Sequence, residues 1–214
     1  MTLVLKAYGL TLLGVMAAQA APGPNMAAVA SVGLAQGRRG ALGVVGGVAT
    51  GMLVWASGMA LGLGAVLAAY PISLIAMKII GGGYLLWLGV RALRAAWLGD
   101  AVSIAAARNA LSVMQAWRRG LFVILTNPKA ALMWAAVATY LFGAGLSALE
   151  VFLFGPLAMV SAAIIYGTYA LLFSSGVAVR GYSRFTRAIE TVLGGTFGAL
   201  GGTLFIDGVR GLRS

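Results

Sequence analysis

Ala21-Pro22-Gly23-Pro24-Asn25 interrupts the first long apolar run of the chain, and Thr126-Asn127-Pro128-Lys129-Ala130 interrupts the fourth. Each run is otherwise long enough to form a helix across a lipid bilayer, which takes about 20 apolar residues. Proline lacks a backbone N–H and clashes with the preceding helical turn, so each stretch should kink or unwind its helix and free backbone carbonyl groups. The sequence therefore predicts two broken helices.

The composition is that of a membrane protein. The chain has 214 residues, of which 61% are hydrophobic and 9% are charged, and its mean hydropathy is +0.99. Soluble domains carry roughly one quarter charged residues. We therefore expect an all-α integral membrane protein in which residues 1–214 form a single transmembrane domain.

Charge and residue usage argue against several functions. The net charge of +11 comes mainly from arginines in short segments between apolar runs, which does not indicate a nucleic-acid-binding face. The chain has no cysteine and no histidine, so it lacks disulfides, thiol catalysts and the usual metal ligands. We expect no enzyme activity, no metal and no cofactor.

Six apolar runs predict six transmembrane helices joined by polar connections. Residues 1–20 also loosely fit a cleaved secretory signal, but Lys6 lies inside the apolar run and not before it. Removing this segment would leave five runs, so we expect it to be retained as the first span. The six runs cover residues 3–35, 41–69, 72–90, 120–142, 149–176 and 189–206.

The positive residues predict the orientation of the chain. The first, third and fifth connections contain arginines, whereas the second and fourth contain none. By the positive-inside rule the odd connections are cytoplasmic, which places both termini on the outer side of the membrane. Arg210 and Arg213 near the C-terminus run against the rule. The arginines of the odd connections are Arg38, Arg39, Arg91, Arg94, Arg108, Arg118, Arg119, Arg180, Arg184 and Arg187.

The second half of the chain repeats the plan of the first. We expect repeat one at residues 1–95, a cytoplasmic connection at 91–119 and repeat two at 119–214, each repeat having three spans and a broken first helix. An odd number of spans inverts the second repeat relative to the first. At about 1.5 Å per helical residue both breaks lie near the membrane midplane. Asn25 and Asn127 should meet there, with side chains open to water.

The two breaks form the predicted substrate site. Apart from Lys129, the charged residues lie near span ends or in connections. A charge at that depth costs about 2.5 to 3.5 kcal/mol unless it is paired or hydrated, so Lys129 should bind a substrate carboxylate or carry a proton. In the alternative, the prolines only kink packed helices and the lysine bonds the freed carbonyls. The predicted site residues are Pro22, Gly23, Pro24, Asn25, Asn127, Pro128 and Lys129.

Glycine and tryptophan patterns predict packing. Two glycine stripes let helices approach closely, either within the bundle or in a homodimer. The stripes are Gly43, Gly47 and Gly51, and Gly194, Gly198 and Gly202. The basic third connection is expected to be a solvated segment, and its alternative role is contact with anionic lipid headgroups. Tryptophans are expected at the membrane interface or facing lipid, at Trp55, Trp87, Trp117 and Trp134.

Three motifs, taken in order, resemble the LysE/RhtB family of amino-acid exporters. The resemblance implies an inner-membrane permease that exports amino acids or related small polar metabolites, driven by the proton gradient. It also implies a central site at the Pro-Gly-Pro-Asn and Asn-Pro-Lys segments. The motifs are Pro22-Gly23-Pro24-Asn25, then Gly83-Tyr84-Leu85-Leu86-Trp87-Leu88-Gly89-Val90-Arg91-Ala92-Leu93, then Arg118-Arg119-Gly120 leading into Leu125-Thr126-Asn127-Pro128-Lys129-Ala130.

Two departures from the family pattern leave the substrate open. The family often has a Pro-Gln pair where this chain has Thr139-Tyr140. The fifth run has the neutral stretch Ile165-Tyr166-Gly167-Thr168-Tyr169 at a place where relatives can carry an acid. The proton carrier is therefore unassigned. The alternative function is a passive channel or a small structural membrane subunit, neither of which needs a coupling residue.

Overall fold

The computed structural model describes residues 2–70, 72–98, 110–175 and 178–212. All regular secondary structure in these ranges is helical, which confirms the all-α class. The π-helical segment Met59–Leu63 joins the second α-helix to the third. The α-helices are α1 (Thr2–Ala20), α2 (Pro24–Gly58), α3 (Gly64–Ala69), α4 (Ser73–Leu98), α5 (Val113–Thr126), α6 (Pro128–Gly143), α7 (Ala148–Ser174) and α8 (Ala178–Gly211).

Several of these helices are long and apolar enough to cross a membrane. Within the described ranges, Pro24–Gly62 and Ala148–Ser174 each pass this test of length and composition. Helices α5 and α6 pass it together as a pair bent by 61°, a geometry that fits either one broken span or a re-entrant loop. These helices agree with a membrane protein, whereas the division into six spans stays a prediction.

Helices α4 and α5 both extend into the connection predicted at residues 91–119. Helix α5 begins early because Ser112 and Gln115 form a capping box. The Gln115 backbone N–H donates to the Ser112 hydroxyl at 3.2 Å, and the Ser112 backbone N–H donates to the Gln115 side chain at 2.8 Å. Residues 99–109 of the predicted connection lie outside the described ranges.

Helix α2 reverses direction at Gly37. This residue has φ 73° and ψ −164°, a backbone conformation that favours glycine. Eight residues of continuous helix would separate Gly33 from Ala41 by about 12 Å. A Cβ built on Gly33 would instead lie 3.5 Å from that of Ala41, so residues 24–36 and 38–58 fold back on each other. The reversal falls in the connection predicted at residues 36–40.

Helix α1 and residues 24–36 run alongside α7 in the same direction. Residues further along the first segment contact residues further along α7, from the start of α7 to its end. The break at residues 21–23 therefore interrupts one continuous path beside α7. The contacting pairs are Tyr8 with Phe154, Gln19 with Ala158, Asn25 with Tyr166, and Gly33 with Ser174.

Residues 38–58 run parallel to α5 and pack closely against it. A Cβ on Gly47 would lie 1.9 Å from the Trp117 carbonyl oxygen, and one on Gly51 would lie 2.2 Å from the Ile124 side chain. Gly43 lies against Ala116 in the same way. The first glycine stripe is therefore a packing face within the bundle, as predicted.

Helices α4 and α8 run antiparallel along their lengths. Gly82 lies against the backbone of Phe205, and Gly89 lies against the backbone of Gly198. Gly194 contacts Leu93, but a Cβ on Gly202 would meet nothing within 4 Å. The predicted stripe in α8 is thus only partly a contact face, since a Cβ on Gly198 would also meet nothing within 4 Å, although its backbone lies against Gly89.

Trp134 contradicts its predicted place at the membrane interface or facing lipid. Its side chain is fully buried, and its ring packs edge-on against that of Phe154 with centroids 6.3 Å apart. Helix α6 places this residue against α7 in the core, where aromatic bulk fills space. Trp87, in contrast, is exposed as predicted, with the Arg91 guanidinium over its ring.

Candidate binding site at the two helix breaks

The first break separates α1, which ends at Ala20, from α2, which begins at Pro24. Pro24 has no N–H to donate to the carbonyl oxygen of Ala20 four residues earlier. The Tyr169 hydroxyl of α7 donates to that oxygen instead, at 2.6 Å. The predicted interruption is therefore present, and a side chain from another helix bonds the first carbonyl it frees.

Lys129 bonds the next two carbonyls of the first break. Its Nζ atom donates to the carbonyl oxygens of Ala21, at 3.4 Å, and Pro22, at 3.3 Å. A Cβ on Gly23 would lie 3.6 Å from the same nitrogen, so the ammonium lies directly against the unwound segment. These contacts are the ones expected if the lysine has a structural role and donates hydrogen bonds to carbonyl groups freed by proline.

The second break has matching chemistry. Helix α5 ends at Thr126, and Pro128, the first residue of α6, cannot donate to the carbonyl oxygen of Ile124. The indole N–H of Trp55 donates to that oxygen at 3.2 Å. Asn127 lies between the helices and caps α6, since its side-chain oxygen accepts from the Lys129 backbone N–H at 3.0 Å.

The two asparagines of the breaks meet, as predicted. The Asn127 side-chain N–H donates to the side-chain oxygen of Asn25 at 3.2 Å, and the Asn25 N–H donates to the Tyr166 hydroxyl at 3.3 Å. The expected openness to water is wrong for this conformation, because Asn25 is 6% and Asn127 is 5% exposed. Their hydrogen bonds to each other and to Tyr166 of α7 hold both side chains in the interior.

A small cavity of about 20 Å³ lies where the breaks cross. A buried water needs about 10 to 15 Å³, so this space holds about one water and not an amino acid. The described conformation therefore has no room for an amino acid at the breaks. The cavity is lined by Ala18, Gln19, Ala21, Gly23, Asn25, Met26, Met52, Asn127, Lys129, Ala130, Met133 and Tyr166.

The structure brings most of the predicted site residues together. Gly23, Asn25, Asn127 and Lys129 line the cavity, and Pro22 contributes a carbonyl oxygen. Pro24 and Pro128 contribute by interrupting the helices, because neither has a backbone N–H to donate. The side chain of Pro128 lies outside the described part of the structure. Within the described residues, no group of His, Cys, Asp or Glu side chains could hold a metal ion.

Three polar residues at the site were missed by sequence reasoning. Gln19 is 1% exposed, and its side chain donates to the Ala158 carbonyl at 3.0 Å and accepts from the Ser161 hydroxyl at 2.9 Å. Tyr166 and Tyr169 bond the two sides of the first break. The available signal was a glutamine inside an apolar run, one turn before the break.

The sequence matches the family described as LysE type translocator over residues 16–208. The chain belongs to that family. Members of the family are transporters and not enzymes, which confirms the expectation that this translocator is no enzyme.

Individual relatives share between 28% and 38% sequence identity with this chain over the matched residues. The translocator is 38% identical over 139 residues to an uncharacterized membrane protein of Pseudomonas aeruginosa, a match that covers 62% of each chain. It is 28% identical over 187 residues to the threonine efflux protein of Escherichia coli K12, covering 87% of this chain and 91% of that protein. A homoserine/homoserine lactone efflux protein of Salmonella typhi is 31% identical over 116 residues, which are 54% of this chain and 55% of that protein. No solved structure matches.

Proposed function

We propose that this translocator exports amino acids or related small polar metabolites across the bacterial inner membrane, through a midplane site at the two helix breaks. The observation that carries the proposal is the contact between Asn25 and Asn127 beside the ammonium of Lys129. Unwound backbone at membrane depth is tolerated where it is buried in protein or lines a cavity, and transporters hold polar substrates at such breaks. The threonine and homoserine efflux relatives support the substrate class.

The substrate's own charges match the groups at the first break. The Lys129 ammonium binds a substrate carboxylate, a role for which a flexible lysine is suited. When Lys129 turns to the carboxylate, the carbonyl oxygens of Ala21 and Pro22 are free to accept from the substrate ammonium. In the proposal, Lys129 therefore bonds the backbone carbonyls when the site is empty and the substrate carboxylate when it is filled.

The helix contacts support an inverted repeat with six spans. Tyr169 bonds the carbonyl freed at the first break, and Trp55 bonds the carbonyl freed at the second. An in-plane two-fold axis exchanges the first span with the fourth and the second with the fifth, and so exchanges these two contacts. The same axis exchanges the parallel pair formed by α1 and α7 with the parallel pair formed by residues 38–58 and α5. It also exchanges α4 with α8, so this antiparallel pair is mapped onto itself.

The proposed cycle alternates access to this site. Opening between the repeats on one side admits the amino acid, and opening on the other side releases it. The proton gradient is the proposed driving force, as the family resemblance implies. A passive channel is the less favoured function, because the central cavity of about 20 Å³ has no room for an amino acid and the threonine and homoserine relatives are efflux proteins.

Flux into reconstituted vesicles tests the proposed function. Purified translocator should give saturable uptake of threonine or homoserine that increases with an imposed proton gradient. Empty vesicles and vesicles without a gradient are the controls. A flux that rises linearly with concentration and ignores the gradient would support the channel. Absence of flux across a panel of amino acids would contradict export.

A further inference from the structure

A second and larger cavity lies between α1, α6 and α8. Its volume is about 300 Å³, the lower end of the range for small-molecule sites. Its lining is mostly apolar, with polar groups at Thr11, Tyr140, Thr203 and Asp207. This cavity is large enough for a small amino acid, whereas the cavity at the breaks is not.

Met133 lines both cavities. Its side chain is 7% exposed and therefore buried between them. On α1, Val15 lines the larger cavity and Ala18, one turn further on, lines the smaller. The two spaces are thus neighbours, and the flexible thioether chain of Met133 lies at their boundary.

The larger cavity extends from this boundary towards one end of the bundle. Along α6 it runs from Met133 to Tyr140, about 10 Å of helix, in the direction of the loop that contains Gly145. That loop carries no arginine, so in the proposed orientation it is on the outer side. The cavity therefore leads from the central site to the side on which an exporter releases its substrate.

We propose that this cavity is the outer exit vestibule for the amino acid, that Met133 is the gate into it, and that the Asp207 carboxylate binds the substrate ammonium there. The proposal rests on the proposed function. The Asp207 carboxylate suits the ammonium group of a zwitterion better than it suits a lipid chain, which offers no charge to pair with it. The amino acid passes from the Lys129 ammonium, which holds its carboxylate, to Asp207, which holds its ammonium.

Cysteine labelling tests the vestibule, because the natural chain has no cysteine. Thr11→Cys should react with a charged, membrane-impermeant thiol reagent added from outside, and excess threonine should slow the reaction. The matched control is Leu13→Cys, two residues along α1, whose native side chain is 66% exposed and does not line the cavity. It should react only with a lipid-soluble maleimide. If Thr11→Cys behaves like Leu13→Cys, a lipid chain occupies the cavity and the proposal is overturned.

The gate and the ammonium subsite have separate tests. Asn25→Cys should be protected from the charged reagent, and adding Met133→Ala should expose it.

Asp207→Asn should raise the apparent KM for export about tenfold, the loss expected for one charge-assisted hydrogen bond. Glu150→Gln is the control, since it removes an acid that does not line the cavity and keeps a residue suited to the capping box of α7. An apparent KM that Asp207→Asn leaves unchanged would contradict the proposed ammonium subsite.

Failure of the vestibule and failure of the proposed function give different results. Labelling needs no transport, whereas export by the unmodified chain is measured in vesicles. A chain that exports threonine with Thr11→Cys unreactive would contradict the vestibule alone. A chain that exports no amino acid would contradict the proposed function, and with it the role given to Asp207.

Discussion

The side-chain nitrogen of Asn127 lies 3.2 Å from the side-chain oxygen of Asn25, although the two residues are 102 positions apart in sequence. Each asparagine lies beside a proline that begins a helix. Their hydrogen bond therefore ties two helix breaks together in the closed conformation. In the proposed cycle, opening the site to admit a substrate breaks this bond.

Asn127 has two roles that substitutions can separate. Asn127→Ala removes the N-cap of α6 and the bond to Asn25, whereas Asn127→Ser keeps a capping oxygen and removes only the longer reach to Asn25. We expect the alanine variant to unfold more easily by about 1 kcal/mol, the usual effect of losing a cap. The serine variant should be closer to the native protein. Denaturant unfolding in detergent measures both, and equal stability of the two variants would contradict the capping role.

Neighbouring glycines of α2 give a second test of packing. Gly47→Ala places a Cβ 1.9 Å from the Trp117 carbonyl oxygen, so α5 must move away, at a cost of about 1 to 3 kcal/mol. Gly46→Ala is the matched control, because its Cβ would lie 3.5 Å from the Trp117 ring, an ordinary contact. Thermal unfolding of both variants in detergent should show a clear loss only for Gly47→Ala. A native melting temperature for that variant would contradict the close approach of α2 and α5.

The hydroxyl of Tyr169 should stabilise the first break. Tyr169→Phe keeps the ring and leaves the carbonyl oxygen of Ala20 without this donor, which costs about 1 to 3 kcal/mol for a buried group. Trp55→Phe at the second break should cost less, because the Ile124 oxygen also accepts from the Asn127 backbone N–H at 3.4 Å. Unfolding measurements that rank the two variants in the opposite order would contradict this account of the breaks.

The breaks were predictable because proline acts locally. Its missing N–H and its ring interrupt a helix wherever it stands, and the observed helices end at Ala20 and Thr126 and begin again at the prolines. The contact of Asn25 with Asn127 followed from placing both breaks at one depth. Such reasoning needs only residue type and helical rise.

Other parts of the site depend on which helix face meets which neighbour. Tyr166 and Tyr169 lie in a neutral stretch of α7, where nothing in the residue order distinguishes a face towards the breaks from a face towards lipid. Trp134 was misplaced for the same reason, since an aromatic side chain suits both a core and a membrane interface. Tertiary packing decided these positions, and a single sequence does not encode it locally.

The two loop glycines with positive φ, Gly37 and Gly145, should lie on opposite sides of the membrane. Gly37 precedes Arg38 and Arg39, so a reporter fused there should be cytoplasmic, whereas the arginine-free loop at Gly145 should place a reporter outside. Fusions at the two positions, read with a cytoplasmic and a periplasmic reporter, measure this. The same location for both would contradict the proposed order of spans.

The Lys129 ammonium is the centre of the proposed mechanism, and its removal has a defined result. Lys129→Met keeps the length of the side chain and removes a charge whose burial costs about 2.5 kcal/mol or more, so the protein should remain folded in the membrane. Lys129→Arg keeps a cation of different shape, and it should retain partial export with weaker apparent affinity if the charge binds a carboxylate. Arginine should fail like methionine if the residue instead releases a proton. Lys6→Met, at an exposed site on α1, is the control.

The most direct measurement is therefore gradient-driven threonine uptake by vesicles that contain equal amounts of native or Lys129→Met protein, with protein folding checked in the same samples. We predict saturable uptake by the native chain and by Lys6→Met, inhibition by unlabelled threonine but not by the amine that lacks its carboxylate, and almost no uptake by Lys129→Met. Normal uptake by a folded Lys129→Met variant would contradict the central claim that this lysine binds the substrate at the crossing of the two helix breaks.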